Sequence, residues 1–324
     1  MIVELRTTTT EQIAKTIRRH RAHNGVGALS RALTLIVLTR DGLEQEAIAA
    51  ASVAGWKYPC RIIAFVAGPA AAPDNLDAHI TPGGECGASE IIVLRAAGEL
   101  AHQAESLVVP FLLPDSPIVA WWPQGCEPPM ATTPIGRIAQ RRISDCAALA
   151  SPGTALEQLR NGYTAGDSDF AWTRITFWRN QLAAAINGLS GTPILDVTVN
   201  TGEGAPGGIL LAAWLRWAFH VPVTLINSQY GSQVGSVQIR TADGDIEFRR
   251  RSDGKTTLRR DGYADQQLVI PVRSLADCLA EELRLLQPDH VFGEVVCSGL
   301  LMNTGSVEGD VLLLESTFNL VPTG

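Results

Sequence analysis

The sequence lacks both a long hydrophobic run and an excess of positive charge. One mostly apolar stretch, residues 107–122, is interrupted by Pro110, Pro114, Asp115 and Pro117. It is not a membrane span, because a membrane-spanning helix needs roughly 20 consecutive apolar residues. The 26 Lys and Arg are outnumbered by 33 Asp and Glu, which gives a net charge of -7. This balance argues against general nucleic-acid affinity, which depends on neutralising phosphates.

The sequence also lacks paired-cysteine and catalytic motifs. Its six cysteines lie far apart, with no C-x-x-C and no N-x-[ST] acceptor site. This pattern predicts a reduced, cytoplasmic protein and not a disulfide framework or a zinc module. The N-terminus has no basic segment followed by an apolar core, so we expect no secretory signal. Without G-x-S-x-G, H-E-x-x-H or metal-ligand spacing, the sequence predicts no catalytic residue, cofactor or metal site.

The pattern of apolar runs indicates an α/β protein of two domains. In the first half, short β-branched runs alternate with helical stretches, which predicts a mainly parallel sheet with flanking helices. A strand–helix–strand unit and alternating strands follow, with Asp-Gly pairs at 243–244 and 253–254 that suit type I′ hairpins. We therefore expect an α/β domain over residues 1–163, and an α+β domain with antiparallel hairpins over residues 164–324.

Several local predictions accompany this division. Thr8-x-x-Glu11 matches a capping box at the start of a helix. A stripe of apolar residues at three- and four-residue steps predicts one long helix from about residue 168 to 189. The C-terminal part is expected to contain strands near residues 291–297 and 311–318.

Two adjacent tryptophans end the predicted strand at residues 118–122. Successive side chains of a strand face opposite sides of the sheet, so Trp121 and Trp122 cannot both fill one core. At least one of them is expected to serve a second surface, such as a domain junction, a partner or a ligand.

A glycine-rich segment has two interpretations. Gly202-x-Gly204-x-x-Gly207 follows a predicted strand and opens a predicted helix, as a dinucleotide-binding fingerprint does. However, Glu203 adds a negative charge and Pro206 removes an amide that would donate to a phosphate. A simple strand–helix loop is therefore the preferred interpretation.

A basic run in the predicted hairpins also has two interpretations. Its members are Arg249, Arg250, Arg251, Lys255, Arg259 and Arg260. They either meet an anion, such as a phosphate or an acidic partner surface, or they protect an edge hairpin against strand addition.

Four charged residues near the predicted boundary have open roles. Asp167 and Asp169 are either a carboxylate pair for chemistry or part of a helix cap, and the cap is the simpler explanation. Arg141 and Arg142 enter a predicted strand, where they bind a phosphate or one of them pairs with Asp145. No active site follows from these residues alone.

An ordered set of segments resembles the glucose-6-phosphate dehydrogenase assembly protein family (OpcA). The segments are KYPCRII (57–63), LVVPFLLPDSPIVAWWP (107–123), IGRIAQRRISD (135–145), GYTAGDSDFAWTRITFWR (162–179) and LADCLAEELRLL (275–286). The resemblance covers nearly the whole chain and is loosest at residues 187–240 and after 300.

The resemblance implies a cytoplasmic, non-catalytic assembly factor or allosteric activator. Its partner would be glucose-6-phosphate dehydrogenase of the oxidative pentose phosphate pathway, with no role for nucleic acid or membrane. The family's most characteristic positions, which we take as candidate partner-binding residues, are Trp121, Trp122, Arg141, Arg142, Asp167, Asp169, Trp172 and Arg174. The alternative is a small-molecule- or nucleotide-binding enzyme that uses the N-terminal parallel sheet at the ends of its strands.

Overall fold

The computed structural model describes residues 2–23, 33–83, 90–126, 129–189, 191–228, 233–300 and 311–314. The helices are α1 Thr10–His23, α2 Glu44–Lys57, α3 Ala104–Val108, α4 Pro134–Ile138, α5 Pro152–Gly162, α6 Phe170–Arg174, α7 Thr176–Asn187, α8 Pro206–Phe219, α9 Leu275–Arg284 and α10 His290–Glu294. The strands are β1 Val3–Leu5, β2 Leu33–Arg40, β3 Cys60–Ala67, β4 Asn75–Thr81, β5 Glu90–Ala97, β6 Ile118–Trp121, β7 Arg141–Ser144, β8 Asp167–Asp169, β9 Ile194–Gly202, β10 Val223–Ser228, β11 Val234–Thr241, β12 Gly244–Arg250, β13 Thr256–Arg260, β14 Gln266–Leu268 and β15 Val311–Leu314.

The chain divides into two compact units, each built from separate segments. The first unit contains residues 1–148, 164–173 and 273–289, and the second contains 149–163, 174–272 and 290–324. The chain thus passes between the units several times, once after residue 163. The division into domains at residues 1–163 and 164–324 stays a prediction.

The first unit is built on a mainly parallel sheet with the order β1-β4-β5-β3-β2-β6-β7-β8. The strands from β5 to β8 in this order pair in parallel, whereas β4 runs antiparallel to both β5 and β1. From β2, the chain adds β3, β4 and β5 on one side of β2. It then returns to the other side of β2, where it adds β6, β7 and β8 in sequence order. This is the doubly wound order, whose direction reverses between β2 and β6. The predicted N-terminal parallel sheet is confirmed.

Both faces of this sheet are covered, which explains its continuous apolar strands. Leu35 and Ile36 are neighbours in β2 and are both fully buried. Leu35 belongs to a cluster with residues of α2 and α9, and Ile36 belongs to a cluster with residues of α1 and α3. Burying such a side chain contributes about 1.5–3 kcal/mol. Because successive side chains of β2 point to opposite faces of the sheet, this one strand contributes to two hydrophobic cores.

The first helix begins near the predicted residue but in a different register. The Thr9 hydroxyl accepts a hydrogen bond from the Gln12 amide at 3.3 Å, whereas the Thr8 hydroxyl donates to the Gln12 side chain at 2.9 Å. The capping pair is therefore Thr9 and Gln12. The predicted pair of Thr8 and Glu11 was wrong by one residue, because adjacent threonines made the registers indistinguishable.

The second unit contains a mixed sheet with the order β14-β13-β12-β11-β9-β10-β15. β9 and β10 are parallel and are connected by α8, whereas the other pairs are antiparallel. This confirms the predicted strand–helix–strand unit and the hairpins that follow it. Of the strand predicted near 311–318, β15 is described, and residues 315–318 lie outside the described chain.

The two faces of the second sheet differ sharply in polarity. On one face, which we call the inner face, Val197, Val199, Val237 and Phe248 are fully buried. The opposite face, which we call the outer face, carries cross-strand polar contacts. They join Asp196 with Arg240, Gln238 with Asp245, and Glu247 with Arg249.

The two Asp-Gly hairpins differ from the predicted type I′ turns. Gly244 and Gly254 have φ of +133° and +80°, but Asp243 and Asp253 are not among the described residues with positive φ. A type I′ turn requires positive φ at both central residues. After Arg251, a three-residue loop ends at Gly254, and the Arg251 amide donates to the Lys255 carbonyl at 2.8 Å. The turn positions were right and the turn type was wrong.

Two secondary-structure predictions were wrong. The expected long helix is broken at Ile175 into α6 and α7, and Asp167 lies in β8 instead of capping a helix. The strand expected near residues 291–297 is helical, since α10 continues as a π-helical turn at Val295–Gly299. Short apolar runs are compatible with either a buried strand or a buried helix, so their tertiary contacts decide.

Candidate functional site

The carboxyl ends of β2 and β6 are the expected position of a ligand-binding site in the first unit. In a doubly wound sheet, ligands bind outside the carboxyl ends of the strands where the strand order reverses. A dinucleotide site there places a pyrophosphate against the amides of the first helix. In this chain that helix is α2, which is reached from β2 through Asp41, Gly42 and Leu43.

The start of α2 is occupied by carboxylates of the protein. Glu44 is 5% exposed, and its Oε1 lies 2.7 Å from Nη2 of Arg95 at the end of β5. Arg95 Nη1 also lies 3.3 Å from Asp41 Oδ1. Burial, the largest single influence, would raise the pKa of Glu44, but the hydrogen bond and positive charge of Arg95 together with backbone hydrogen bonds outweigh it and hold the pKa below its ordinary value. Glu44 is therefore ionised at neutral pH, where it would repel a phosphate.

The loop after β6 is tied across the same crevice. Thr39 Oγ1 donates to Gln124 Oε1 at 2.9 Å, and Gln124 Nε2 donates to the Leu43 carbonyl at 3.4 Å. Gln124 thus connects the loop after β6 with the end of β2 and the entry to α2. Thr39, Gln124, Glu44 and Arg95, which lie at this crevice, thus form hydrogen bonds within the protein.

A second cluster of charged residues lies at β7, β8 and α9. Arg141 Nη2 lies 2.6 Å from Glu282 Oε2, and Arg141 Nη1 donates to the Gln287 carbonyl at 3.1 Å. The other Glu282 oxygen accepts hydrogen bonds from Ser168 Oγ at 2.9 Å and from Thr173 Oγ1 at 2.5 Å. Glu282 is 5% exposed. One buried carboxylate of α9 therefore links β7, β8 and α6.

Arg142 makes a second buried ion pair from the neighbouring position of β7. Its Nε donates to Asp167 Oδ1 at 2.5 Å, and its terminal nitrogens donate to the carbonyls of Ala139 at 2.8 Å and Ala165 at 2.7 Å. Asp167 Oδ2 accepts from the Thr164 amide at 2.8 Å. Burial raises the pKa of Asp167, while Arg142 acts in the opposite direction.

Neither arginine pairs with Asp145 or has room for a phosphate. Their hydrogen bonds go to Glu282, Asp167 and backbone carbonyls, and both side chains are buried. The predicted pairing with Asp145 was therefore wrong. Arg142 and Asp167 were both candidates in the sequence, but their pairing was not predicted, and Glu282, which lies more than 100 residues from Arg141, was not singled out at all.

Two buried carboxylates lie at the carboxyl ends of β7 and β8. Asp169 accepts hydrogen bonds from the amides of Cys146 at 2.9 Å and Ala171 at 2.8 Å. Burial, followed by the negative charge of Asp145, raises the pKa of Asp169 to about 6. Asp145 is 3% exposed and Asp169 is 0% exposed. Because both carboxylates are buried, they are closed off from a substrate.

The adjacent tryptophans lie on opposite faces of the first sheet, as predicted. Trp121 is fully buried, with its ring centroid 5.4 Å from that of Phe170, in the cluster that includes residues of α2 and α9. Trp122 is half-buried and packs against the cluster on the other face. Trp121 Nε1 is buried without an acceptor among the described residues.

The remaining candidate residues are Trp172 and Arg174. Trp172 is 2% exposed, and its Nε1 donates to Asp289 Oδ2 at 2.9 Å. Arg174 is half-buried and belongs to the second unit. Of the eight candidates, only Trp122 and Arg174 are more than marginally accessible in the described structure. Contact of these eight residues with a partner stays a prediction.

The glycine-rich segment forms the loop between β9 and α8. Gly204 has a φ of +63°, and Pro206 is the first residue of α8. Glu203 is exposed in this loop. At Gly208, a Cβ atom would lie 2.3 Å from Thr201 Oγ1, so this glycine allows α8 to approach β9 closely. The geometry is that of a tight strand–helix connection.

Cysteines and possible metal ligands are dispersed in the described part of the chain. Cys60, Cys126, Cys146, Cys278 and Cys297 are not joined to one another by disulfides, and Cys86 lies outside the described residues. Burial raises the pKa of the Cys146 thiol, which makes it a poor nucleophile. No cluster of three His, Cys, Asp or Glu residues with metal-binding geometry occurs within the described ranges. A helix of sufficient length and hydropathy to cross a membrane is likewise not found there.

Solved structures with partial similarity to the chain are oxidoreductases. KijD10, a 3-ketoreductase from Actinomadura kijaniata, matches with a TM-score of 0.44 and 8% identity over 83% of this chain and 95% of its own. An oxidoreductase from Sinorhizobium meliloti matches with a TM-score of 0.43 and 11% identity over 84% and 95%. Glucose-6-phosphate 1-dehydrogenase from Mycobacterium avium matches with a TM-score of 0.42 and 10% identity over 82% and 90%. Values this low establish no shared activity.

Family models give a clear assignment, whereas a search of curated proteins found no match. Residues 51–161 match the glucose-6-phosphate dehydrogenase subunit N-terminal domain, and residues 165–296 match the corresponding C-terminal domain. Together the two models span most of the chain, in the order expected for one protein. The chain therefore belongs to the glucose-6-phosphate dehydrogenase assembly protein family, OpcA.

Proposed function

We propose that this protein binds glucose-6-phosphate dehydrogenase and promotes its assembly or activity without catalysing a reaction itself. The domain descriptions of its family name a subunit of that enzyme, which supports a role in its assembly or activation. Such an effector must bind one state of the dehydrogenase more tightly than another, because equal affinity for both states leaves the equilibrium between them unchanged. We place this function in the cytoplasm, where scattered cysteines remain reduced.

The observation that carries the non-catalytic part of the proposal is the position of Glu44. A dinucleotide-binding sheet offers helix amides and a helix dipole to a phosphate at this point. Here Glu44 is buried, ionised and paired with Arg95 at the same helix start. A phosphate would have to displace this ion pair and to approach a second carboxylate, Asp41. The doubly wound sheet thus serves as a scaffold and not as a nucleotide cradle.

The eight candidate residues are proposed to support partner binding in two ways. Trp122 and Arg174, which are half-buried, contact the dehydrogenase directly. The other six stabilise the short strands and loops of the first unit, since each is buried and most take part in ion pairs or hydrogen bonds. A preformed surface lowers the ordering cost of association.

Mixing the full-length protein with the dehydrogenase of the same organism tests the proposal. We expect a faster-sedimenting dehydrogenase species and a higher rate of NADP reduction at limiting enzyme concentration. An unrelated protein of similar net charge is the control for crowding and non-specific effects. If neither sedimentation nor rate changes, the proposed function is wrong.

The rival hypothesis, a small-molecule- or nucleotide-binding enzyme, is tested on the isolated protein. Calorimetric titration with NADP and with sugar phosphates should give no heat of binding, since Glu44 and Gln124 occupy the crevice. Tight binding in the absence of the dehydrogenase, or conversion of a metabolite by this protein alone, would favour the rival.

A further inference from the structure

The basic run at residues 249–260 is divided between the two faces of the second sheet. Successive residues of a strand point in opposite directions, so Arg250 lies on the inner face and its neighbours Arg249 and Arg251 on the outer face. The Arg250 guanidinium lies 5.8 Å from the ring centroid of Trp178 on α7, and Arg250 Nε donates to the Val234 carbonyl at 3.4 Å. Arg250 is half-buried, packs on the inner face and is therefore not part of the outer-face group.

The outer-face members form a compact group that we call the outer arginine cluster, namely Arg249, Arg251 and Arg259. With Thr257, Glu247 and Asp265 they line a shallow concavity of about 210 Å³. All three arginines are exposed. The β12–β13 register places Arg249 opposite Thr257 and Glu247 opposite Arg259, which explains why the side chains meet on one face.

Two of these arginines retain unused hydrogen-bonding capacity. Arg249 pairs with Glu247, with Nε 2.9 Å from Oε1. The guanidinium groups of Arg251 and Arg259 make no hydrogen bond or ion pair within the described residues. In a protein with a net charge of -7, the cluster is a local region of opposite sign.

The shape of this region favours a protein surface over a small ligand. Small-molecule sites are typically concave, with volumes of about 300–1,000 Å³ that bury most of the ligand. This concavity is smaller and lies on the open face of a sheet. Arginine is enriched at protein interfaces and binds carboxylates in a bidentate manner. The outer face also offers polar partners, Gln238 and Arg240, on the neighbouring strand β11.

We propose that the outer arginine cluster docks carboxylates on the surface of the dehydrogenase that this protein assembles. The proposal rests on the function proposed above and adds a contact surface to the one proposed for Trp122 and Arg174. Opposite charges across an interface accelerate encounter and fix its register, and the attraction weakens as salt increases. The cluster thus determines how fast and in which orientation the two proteins meet.

The test is a charge reversal in the full-length protein, Arg251→Glu combined with Arg259→Glu. A matched control, Lys15→Glu with Arg18→Glu, makes the same change in charge on exposed residues of α1. The affinity of each protein for the dehydrogenase is measured by sedimentation at low and high salt. We expect at least about tenfold weaker binding for the cluster variant at low salt, with a smaller salt dependence, and unchanged binding for the control. Matching thermal unfolding curves confirm that the variants are folded.

The outcomes separate this inference from the function on which it rests. If the unmodified protein fails to bind the dehydrogenase, the proposed function is rejected together with its docking surface. If it binds and the cluster variant binds equally well, only the docking surface is rejected. A parallel titration with inorganic phosphate and glucose 6-phosphate provides a third arm. If the unmodified protein binds these anions, the cluster variant does not, and both bind the dehydrogenase equally well, then the arginines bind a small anion and not the dehydrogenase.

Discussion

The two sheets of this protein are buried in different ways. In β3 of the first unit, each residue from Cys60 to Val66 is buried, because helices cover both faces. In β11 of the second unit, Val237 and Ile239 are buried while Gln238 and Arg240 are exposed. The first sheet is therefore buried on both faces, whereas the second sheet has exposed side chains on one face of β11. A strand of a parallel sheet with helices on both faces has a nearly continuous apolar sequence. A strand of an antiparallel sheet with one exposed face has alternating apolar and polar residues.

The largest expected effect concerns the buried ion pair of the first unit. Glu282→Gln should destabilise the protein by about 3–5 kcal/mol, because it leaves Arg141 charged and unpaired in the interior. The matched change in the second unit is Glu247→Gln, which removes an exposed pair with Arg249 and should cost about 0–1 kcal/mol. Urea unfolding followed by circular dichroism measures both. Equal losses in the two variants would contradict the contrast between the sheets.

The second prediction compares neighbouring residues within one strand. Leu35→Ala and Ile36→Ala in β2 should each cost about 2–5 kcal/mol, since both side chains are fully buried on opposite faces. In β11, Ile239→Ala should cost a similar amount, but Gln238→Ala should change stability by no more than about 0.5 kcal/mol. A large loss for Gln238→Ala would mean that the outer face is not free.

The third prediction concerns the pH dependence of stability. Because the pKa of Asp169 is raised to about 6 in the folded protein, the native state binds more protons than the unfolded state between about pH 4 and pH 6. The contribution of Asp169 is therefore present at low pH and is lost as the pH rises through 6. Asp145→Asn should remove a nearby negative charge, lower the pKa of Asp169 and flatten this decline in unfolding free energy. The control Asp245→Asn, on the outer face of the second sheet, should leave the decline in place.

The smallest expected effects involve two glycines of the second unit and have opposite signs. Gly254→Ala should destabilise by about 1 kcal/mol, because this residue has a φ of +80° that alanine adopts at a cost. Gly153→Ala should stabilise by about 0.5–1 kcal/mol, since it lies in α5 and an added Cβ meets nothing within 4 Å. Thermal unfolding measures both changes, and a shift of the same sign in both would contradict the backbone argument.

The predictions that succeeded depended on local patterns. Apolar runs predicted the N-terminal parallel sheet and the strand that became β6, and the opposite orientation of Trp121 and Trp122 followed from strand alternation alone. The predictions that failed involved short segments whose conformation depends on distant contacts. Asp167 was predicted to cap a helix, but it lies in β8, which forms because β7 offers an edge for pairing, whereas Asp169 does cap the short α6 by accepting from the Ala171 amide. The helical run around Val295 packs against α8, which lies some 80 residues earlier in the sequence.

The sequence by itself determined the class of fold, the placement of most strands and the family, because hydrophobic periodicity and characteristic motifs are local properties. Only the tertiary structure decided which charges pair, that Glu44 and Arg95 occupy the helix start where a phosphate would bind, and that Arg251 and Arg259 share the outer face while Arg250 turns inward. The physical reason is that an ion pair or a surface cluster joins residues from separate strands and helices. Their distances are fixed by the register and packing of the sheets, which no single segment encodes.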